Sequence, residues 1–118
     1  MKHFRIFTTA VLASGLAAVA FAATHTLSGE YYIGGKTMVD PSENEKKDTH
    51  FRIFLNGASA RDLYLAMKVR PVKDECLLDG STTKFIGGTA CTKHVNGKFE
   101  CSFSVNIKAQ RVESAYAC

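Results

Sequence analysis

The chain has 118 residues, of which 15 are Lys or Arg and 11 are Asp or Glu, and its formal net charge is +4. Two of the basic residues lie in an N-terminal leader, so the remainder carries a net charge of only +2. A charge this small gives no reason to expect binding to nucleic acid or to an anionic membrane. We therefore expect neither nucleic acid nor a membrane surface as a partner.

The first 22 residues have the pattern of a secretory signal peptide. Lys2 and Arg5 precede an apolar run over residues 6–19, and Ala20-Phe21-Ala22 supplies small residues for cleavage after Ala22. The apolar run is shorter than the roughly 20 residues that span a membrane. The sequence therefore predicts a soluble periplasmic or secreted protein without a membrane span, with residues 23–118 forming a single small domain.

The four cysteines are Cys76, Cys91, Cys101 and Cys118. Because disulfides persist in exported proteins, an even number of cysteines in so small a domain predicts two disulfides. A four-cysteine zinc site is the alternative, but its ligands usually come in closely spaced pairs, whereas gaps of 14, 9 and 16 residues separate these cysteines. We expect structural disulfides, no catalytic residues, no cofactor and no metal.

The N-terminal half predicts strands and a mobile loop. Residues 27–33 and 36–39 flank Gly34-Gly35, which suits a two-residue hairpin turn with Tyr31 opposite Met38. In that hairpin one of Tyr31 and Tyr32 is in the core and the other is exposed. Residues 40–48 are polar, and residues 49–55 alternate as a strand that leaves His50 on the surface.

A short helix follows over residues 60–68. Ser59 is predicted to cap it, and Ala60, Leu63, Tyr64 and Met67 form one apolar stripe that packs on a sheet. Pro71 ends the helical region, and residues 72–79 form a loop. Asp74 and Glu75 are neighbours in this loop, so they do not converge as an acid and base pair should.

The C-terminal half predicts a meander of three strands over residues 82–94, 99–107 and 112–118. Gly87-Gly88 interrupts the first strand and indicates a bulge or the close approach of another backbone. Residues 99–107 alternate between apolar and polar side chains, and Asn96-Gly97 indicates a hairpin turn before them.

Strand register decides which cysteines meet. A four-residue turn over residues 108–111 places Cys101 opposite Cys118, and we favour this pair together with Cys76 and Cys91. If the preceding hairpin closes through three residues with Gly97 as a bulge, Cys91 lies opposite Cys101 instead. The sequence does not choose between these pairings.

These elements predict an α+β fold in the order β-β-β-α-β-β-β. One helix packs across one face of a small antiparallel sheet, and the other face is partly solvated. Two disulfides staple the domain.

The sequence predicts a non-catalytic binding protein. No nucleophile, base and orienting group occur in a nameable arrangement, and no phosphate-binding loop or paired-histidine zinc motif is present. A bacterial periplasmic module that binds a protein partner, as a hydrolase inhibitor or a toxin-immunity protein, is the leading hypothesis. Exported lysozyme inhibitors share the size, leader and disulfides, but their Cys-Lys-Pro-His-Asp-Cys stretch is absent, so the chain is assigned to no family.

Two other classes stay open. One is a small-ligand or metal binder, for example through Cu(II) held by Ala23-Thr24-His25 at a cleaved N-terminus. The other is a structural envelope protein. The oligomeric state is not predicted.

Overall fold

The computed structural model describes residues 23–118, so the predicted signal peptide and its cleavage after Ala22 lie outside the described residues. Seven strands and one helix follow one another along this part of the chain. They are β1 (Gly29–Gly34), β2 (His50–Asn56), α1 (Gly57–Ala66), β3 (Val72–Lys73), β4 (Thr82–Ile86), β5 (Thr89–Lys93), β6 (Phe99–Asn106) and β7 (Arg111–Glu113). Within these residues no helix is long and apolar enough to cross a membrane.

The strands form one antiparallel sheet in the order β1-β2-β6-β5-β4-β3. The central strand β6 pairs with β2 along one edge and with both β5 and β7 along the other. Strand β5 occupies the first half of that edge, so β7 pairs only with the second half, from Ser104 to Asn106. The predicted pairing of Cys101 with Cys118 is wrong for this reason.

The helix packs on the sheet as its apolar stripe predicts. Ala60, Tyr64 and Met67 are buried, and they form the core together with Leu55 and the disulfide between Cys91 and Cys101. Lys84 reaches from β4 to the end of the helix, where its Nζ donates to the carbonyls of Tyr64 and Met67 at 2.9 and 3.1 Å. These bonds satisfy carbonyl groups that a helix C-terminus leaves free.

Both disulfides form, but not in the favoured pairing. Cys76 bonds to Cys118, and Cys91 bonds to Cys101 across directly opposed positions of β5 and β6. The hairpin between these strands closes through three residues, since the amide of His94 donates to the carbonyl of Lys98. Gly97 has φ +82° at the bulge position, which is the alternative register identified from the sequence.

Two predicted strands are assigned differently. Residues 36–39 form no strand, and Tyr31 in β1 lies opposite Ile53 in β2, not opposite Met38. Residues 82–94 divide into β4 and β5, with Gly87-Gly88 as the hairpin turn between them. A Cβ on Gly88 would lie 2.6 Å from the backbone carbon of Glu113, so the predicted close approach of another backbone is confirmed.

The element order also differs in detail from the prediction. Within residues 23–118 two strands precede the helix and five follow it, where the sequence predicts three on each side. The helix is capped at Asn56 without a side-chain bond, and the Ser59 hydroxyl instead accepts the amide of Ser28 at 2.8 Å. The coarse prediction of a small antiparallel sheet with one helix and two disulfides is confirmed.

Candidate binding surfaces

The face of the sheet that lies away from the helix is partly solvated, as the sequence predicts, since Tyr32 and Phe85 are 42% and 48% exposed there, but its middle is covered. The segment that leads to Cys118 crosses it, and the Cys76–Cys118 disulfide anchors that segment. Small polar side chains lie beneath or beside the covering chain: Thr83, Thr92, Ser102 and Ser104 are 0%, 5%, 9% and 0% exposed. The covered part of this face is therefore a buried polar layer.

Asp74 joins several parts of that layer by hydrogen bonds. Its Oδ1 accepts the amides of Cys76 and Leu77, and its Oδ2 accepts the hydroxyls of Thr83 and Tyr116. Burial raises the pKa of the Asp74 carboxyl, but these hydrogen bonds outweigh it and hold the pKa below the ordinary value. The carboxylate is fully engaged, which indicates a structural role.

Tyr116 donates its hydroxyl to Asp74 from the C-terminal segment. Burial, reinforced by the Asp74 carboxylate, raises the pKa of the Tyr116 phenol to about 12. Its ring also packs edge-on against Phe85 of β4. Tyr116 thus fastens the C-terminal segment to the sheet independently of the nearby disulfide.

A second polar cluster surrounds Glu113 in β7. Its carboxylate accepts hydrogen bonds from Arg111 at 2.7 Å and Asn106 at 3.0 Å, and it lies 3.1 Å from Nε2 of His50. These bonds, led by the one from Arg111, lower the pKa of Glu113 to about 2. His50 is 7% exposed, so the prediction that it lies on the surface is wrong.

The His50 cluster contains a hydroxyl, an imidazole and a carboxylate in sequence. Thr49 Oγ1 lies 2.8 Å from Nδ1 of His50, and the opposite ring nitrogen faces Glu113. The same hydroxyl is 3.4 Å from the carbonyl oxygen of Gly34. Since Thr49 directly precedes His50 and contacts the end of β1, these bonds join β1, β2 and β7 at one end of the sheet.

A cavity of about 340 Å³ lies between the polar face and the C-terminal segment, and we call it the C-terminal cavity. Phe54 of β2 and Ser102 of β6 contribute to its lining from the sheet. Residues 115–117 of the C-terminal segment and Met38, from the loop between β1 and β2, complete the lining. Its acidic side chains are Glu30 and Glu100, and its lining contains no Lys, Arg or His.

An apolar surface borders β1 on the helix side of the sheet. Tyr31 and Ile33 are 67% and 54% exposed, and the Tyr31 ring lies 5.0 Å from the ring of Phe51. Leu27 is exposed beside them, and with Tyr31 and Phe51 it lines a small groove of about 140 Å³. On the other face Tyr32 is 42% exposed, so neither tyrosine is in the core, contrary to the prediction.

The outer edge of β1 lacks a neighbouring strand within residues 23–118. The carbonyl of Ser28 accepts the amide of Asn56, so the even-numbered residues of β1 bond to β2. Because bonding alternates along an antiparallel strand, the backbone groups of Tyr31 and Ile33 point outward. The edge therefore offers both backbone partners and apolar side chains.

The predicted site residues are distributed as follows. All four cysteines are in disulfides, and the described residues include no free cysteine. His25 lies in an exposed N-terminal stretch without regular structure, and residues 23–118 contain no group of three or more His, Cys, Asp or Glu side chains placed to hold a metal ion. The Cu(II) hypothesis depends on a cleaved terminus and stays a prediction.

No protein-family model, curated protein or solved structure matches this chain. No sequence pattern marks Glu30, Phe54, Glu100 and Ser102 as a group, although all four line the C-terminal cavity. Alternation in β6 correctly placed Glu100 and Ser102 on one face. Nothing in the sequence indicated that the C-terminal segment returns across that face.

Proposed function

We propose that this protein is an exported, non-catalytic binding module that engages a protein partner by adding the partner's strand to β1. The observation that carries the proposal is the open edge of β1, where Tyr31 and Ile33 are exposed and their backbone groups point outward. Strand addition joins such backbone groups by main-chain hydrogen bonds, while neighbouring side chains set specificity. The two disulfides support an exported setting.

The two edges of the sheet differ in a way that favours this proposal. At the far edge, β3 has only two residues, is preceded by Pro71 and contains Lys73. Short length, proline and lysine are devices that keep an edge strand from pairing. Strand β1 has six residues, Gly-Glu-Tyr-Tyr-Ile-Gly, with neither lysine nor proline. An edge without this protection is expected to be paired when the protein works.

The proposed partners are a hydrolase that the protein inhibits or a cell-wall-attacking toxin against which it gives immunity. Either role requires a rigid surface and no chemistry of its own. The disulfide core under α1 and the β1–β2 ladder supply that rigidity. The apolar groove that includes Leu27 and Tyr31 provides pockets for the partner's side chains.

Ile33→Pro tests the edge because it removes an outward N–H while leaving the bonds to β2 in place. Ile33→Val is the matched control, since it keeps the N–H and a β-branched side chain. A partner is captured by cross-linking in a periplasmic extract, identified by mass spectrometry and purified. We expect Ile33→Pro to weaken its affinity by roughly tenfold or more, because one backbone bond is lost and the ring obstructs the added strand.

Hydrogen exchange on the purified complex supplies the decisive readout. Strand addition predicts protection of the Tyr31 and Ile33 amides on binding. Unchanged exchange at both amides, or equal affinity for the two variants, would contradict the proposal. A dimer of this chain that Ile33→Pro dissociates would assign the edge to a second copy and also count against a foreign partner.

A further inference from the structure

We propose that the C-terminal cavity binds an alkylammonium group, carried by a small diamine or by a lysine side chain of a peptide. This inference does not depend on strand addition at β1. The C-terminal cavity has a volume of about 340 Å³, which is at the lower end of the range for ligand pockets. The cavity therefore fits a small ligand or one long side chain.

Charge selects the class of ligand. Glu30 and Glu100 line the cavity without any basic side chain, although the protein as a whole carries a positive net charge. Arg52 lies in the next row of the sheet without lining the cavity: its Nη2 donates to the carbonyl of Lys36, its guanidinium packs over the Tyr32 ring at 5.6 Å, and its Nε and Nη1 have no hydrogen-bond partner within residues 23–118. His94 lies 2.9 Å from one Glu100 oxygen without lining the cavity. A cation is therefore favoured over an anion inside the cavity.

The remaining lining suits the stem of an alkylammonium group. The Phe54 ring is stacked on Tyr32 with 5.9 Å between centroids, and Met38, from the loop between β1 and β2, also lines the cavity. An aromatic face attracts an ammonium ion, and thioether and phenyl groups pack well against methylene groups. Apolar and anionic groups thus occur together, as such a ligand requires.

Ser102 supplies a second polar contact that is independent of the carboxylates. It is 9% exposed, lines the cavity, and its hydroxyl forms no hydrogen bond to another side chain within residues 23–118. The hydroxyl is accessible from the cavity, so it can accept a hydrogen bond from an ammonium group bound between Ser102 and a carboxylate.

Glu30 and Glu100 lie on the two strands that flank β2 and are offset by two residues along them, so their backbones are roughly 12 Å apart at ordinary strand geometry. A diamine can direct one ammonium toward each carboxylate. A lysine side chain presents only one ammonium and enters from the open side of the cavity. The two sources share one chemistry and differ in the number of carboxylates they use.

Binding is measured by calorimetry and by amide chemical shifts with four probes of similar size. They are 1,5-diaminopentane, Nα-acetyl-lysine methylamide, 1-pentanol and pentanoate. We expect the diamine or the blocked lysine to bind and to shift the amides of Phe54 and Ser102, while the neutral alcohol and the anion bind at least tenfold more weakly. Equal binding of amine and alcohol, or no binding of either amine, would overturn the proposal.

Charge-neutralising variants locate the site. Glu30→Gln and Glu100→Gln should each weaken diamine binding about three- to fivefold, as expected for partly exposed ion pairs. The matched control is Glu43→Gln, which removes the same charge from the exposed loop outside the cavity. The blocked lysine carries a single ammonium group. Only one of the two cavity variants should therefore weaken its binding.

A cavity-filling variant separates binding in the cavity from attraction to surface charge. Ala117→Leu places a larger side chain on the exposed covering segment that lines the cavity, and Ala109→Leu makes the same change in the turn before β7. We expect the first to abolish the amine-induced shifts and the second to leave them unchanged. Retained shifts in Ala117→Leu at native stability would contradict a site inside the cavity.

Discussion

Asp74 illustrates how one buried carboxylate can organise an irregular region. Its four hydrogen bonds come from two backbone amides and two hydroxyls, so both carboxylate oxygens are engaged. Asp74→Asn replaces one acceptor oxygen by an NH₂ group that faces donors. We expect a loss of roughly 2–3 kcal/mol in the free energy of unfolding, measured with urea. Glu75→Gln, at the exposed neighbouring position, should change it little.

The same carboxylate makes stability depend on acidity. Its pKa is lower in the folded protein than in the unfolded chain, so its contribution is present above the ordinary aspartate pKa near 3.9 and is lost as the pH falls through the folded value. Urea unfolding measured between neutral and acid pH should show this loss in the wild type and less of it in Asp74→Asn. Identical acid dependence in both proteins would assign the effect to other carboxylates, with Glu113 the first candidate.

Tyr116 should give the opposite dependence at alkaline pH. Its folded pKa of about 12 exceeds the ordinary value of 10, so its stabilising contribution is complete below pH 10 and is lost as the pH rises toward 12. Ultraviolet titration should show a phenol ionising near pH 12, and Tyr116→Phe should remove that step. A step near pH 12 that persists in Tyr116→Phe would contradict its assignment to Tyr116.

The helix and the central strand were predictable because their apolar periodicity is local. Ala60, Tyr64 and Met67 recur at helical spacing and are buried, as that spacing predicts. Alternation in β6 identifies its apolar face, but Ser102 and Ser104 on the polar face are buried as well. Strand partners were not predictable in the same way. The pair Gly34-Gly35 suggested a local hairpin, but β1 pairs with β2 across an intervening loop. The covering of the polar face, and with it the C-terminal cavity, depends on non-local contacts made by Asp74 and Tyr116.

Glycines in two hairpins should respond differently to alanine. Gly88→Ala drives a Cβ to 2.6 Å from the Glu113 backbone, whereas at Gly97 no atom lies within 4 Å and only the positive φ is unfavourable. We expect a loss of about 1 kcal/mol for Gly97→Ala and roughly 2–3 kcal/mol for Gly88→Ala, because β4–β5 and β7 must separate. Thermal and urea unfolding of both variants provide the comparison. If Gly88→Ala lowers the stability no more than Gly97→Ala does, the Glu113 backbone can move away from the added Cβ at little cost.

The two disulfides stabilise different parts of the molecule. Cys91–Cys101 lies in the core beneath α1, whereas Cys76–Cys118 fastens the segment that covers the polar face. Their sequence separations are 10 and 42 residues. By loop entropy alone the longer link contributes roughly 4 kcal/mol and the shorter roughly 3 kcal/mol. The link with the larger entropic effect is thus the one that lies outside the core.

Removing each disulfide should therefore affect different properties. In Cys76→Ala/Cys118→Ala the core beneath α1 is intact, so far-ultraviolet circular dichroism should stay native while the free energy of unfolding falls. The covering segment then depends on the Tyr116–Asp74 bond and the Tyr116–Phe85 contact, so we expect faster proteolysis after Glu113 and loss of amine binding in the C-terminal cavity.

Cys91→Ala/Cys101→Ala is the control for general destabilisation. It leaves a void beside Ala60 and Leu55 and lowers the stability of the sheet, yet the covering segment stays anchored at Cys118. At temperatures where this variant is folded, amine binding should be retained. If both variants lose amine binding equally at matched stability, the cavity depends on overall rigidity and not on the anchored C-terminal segment.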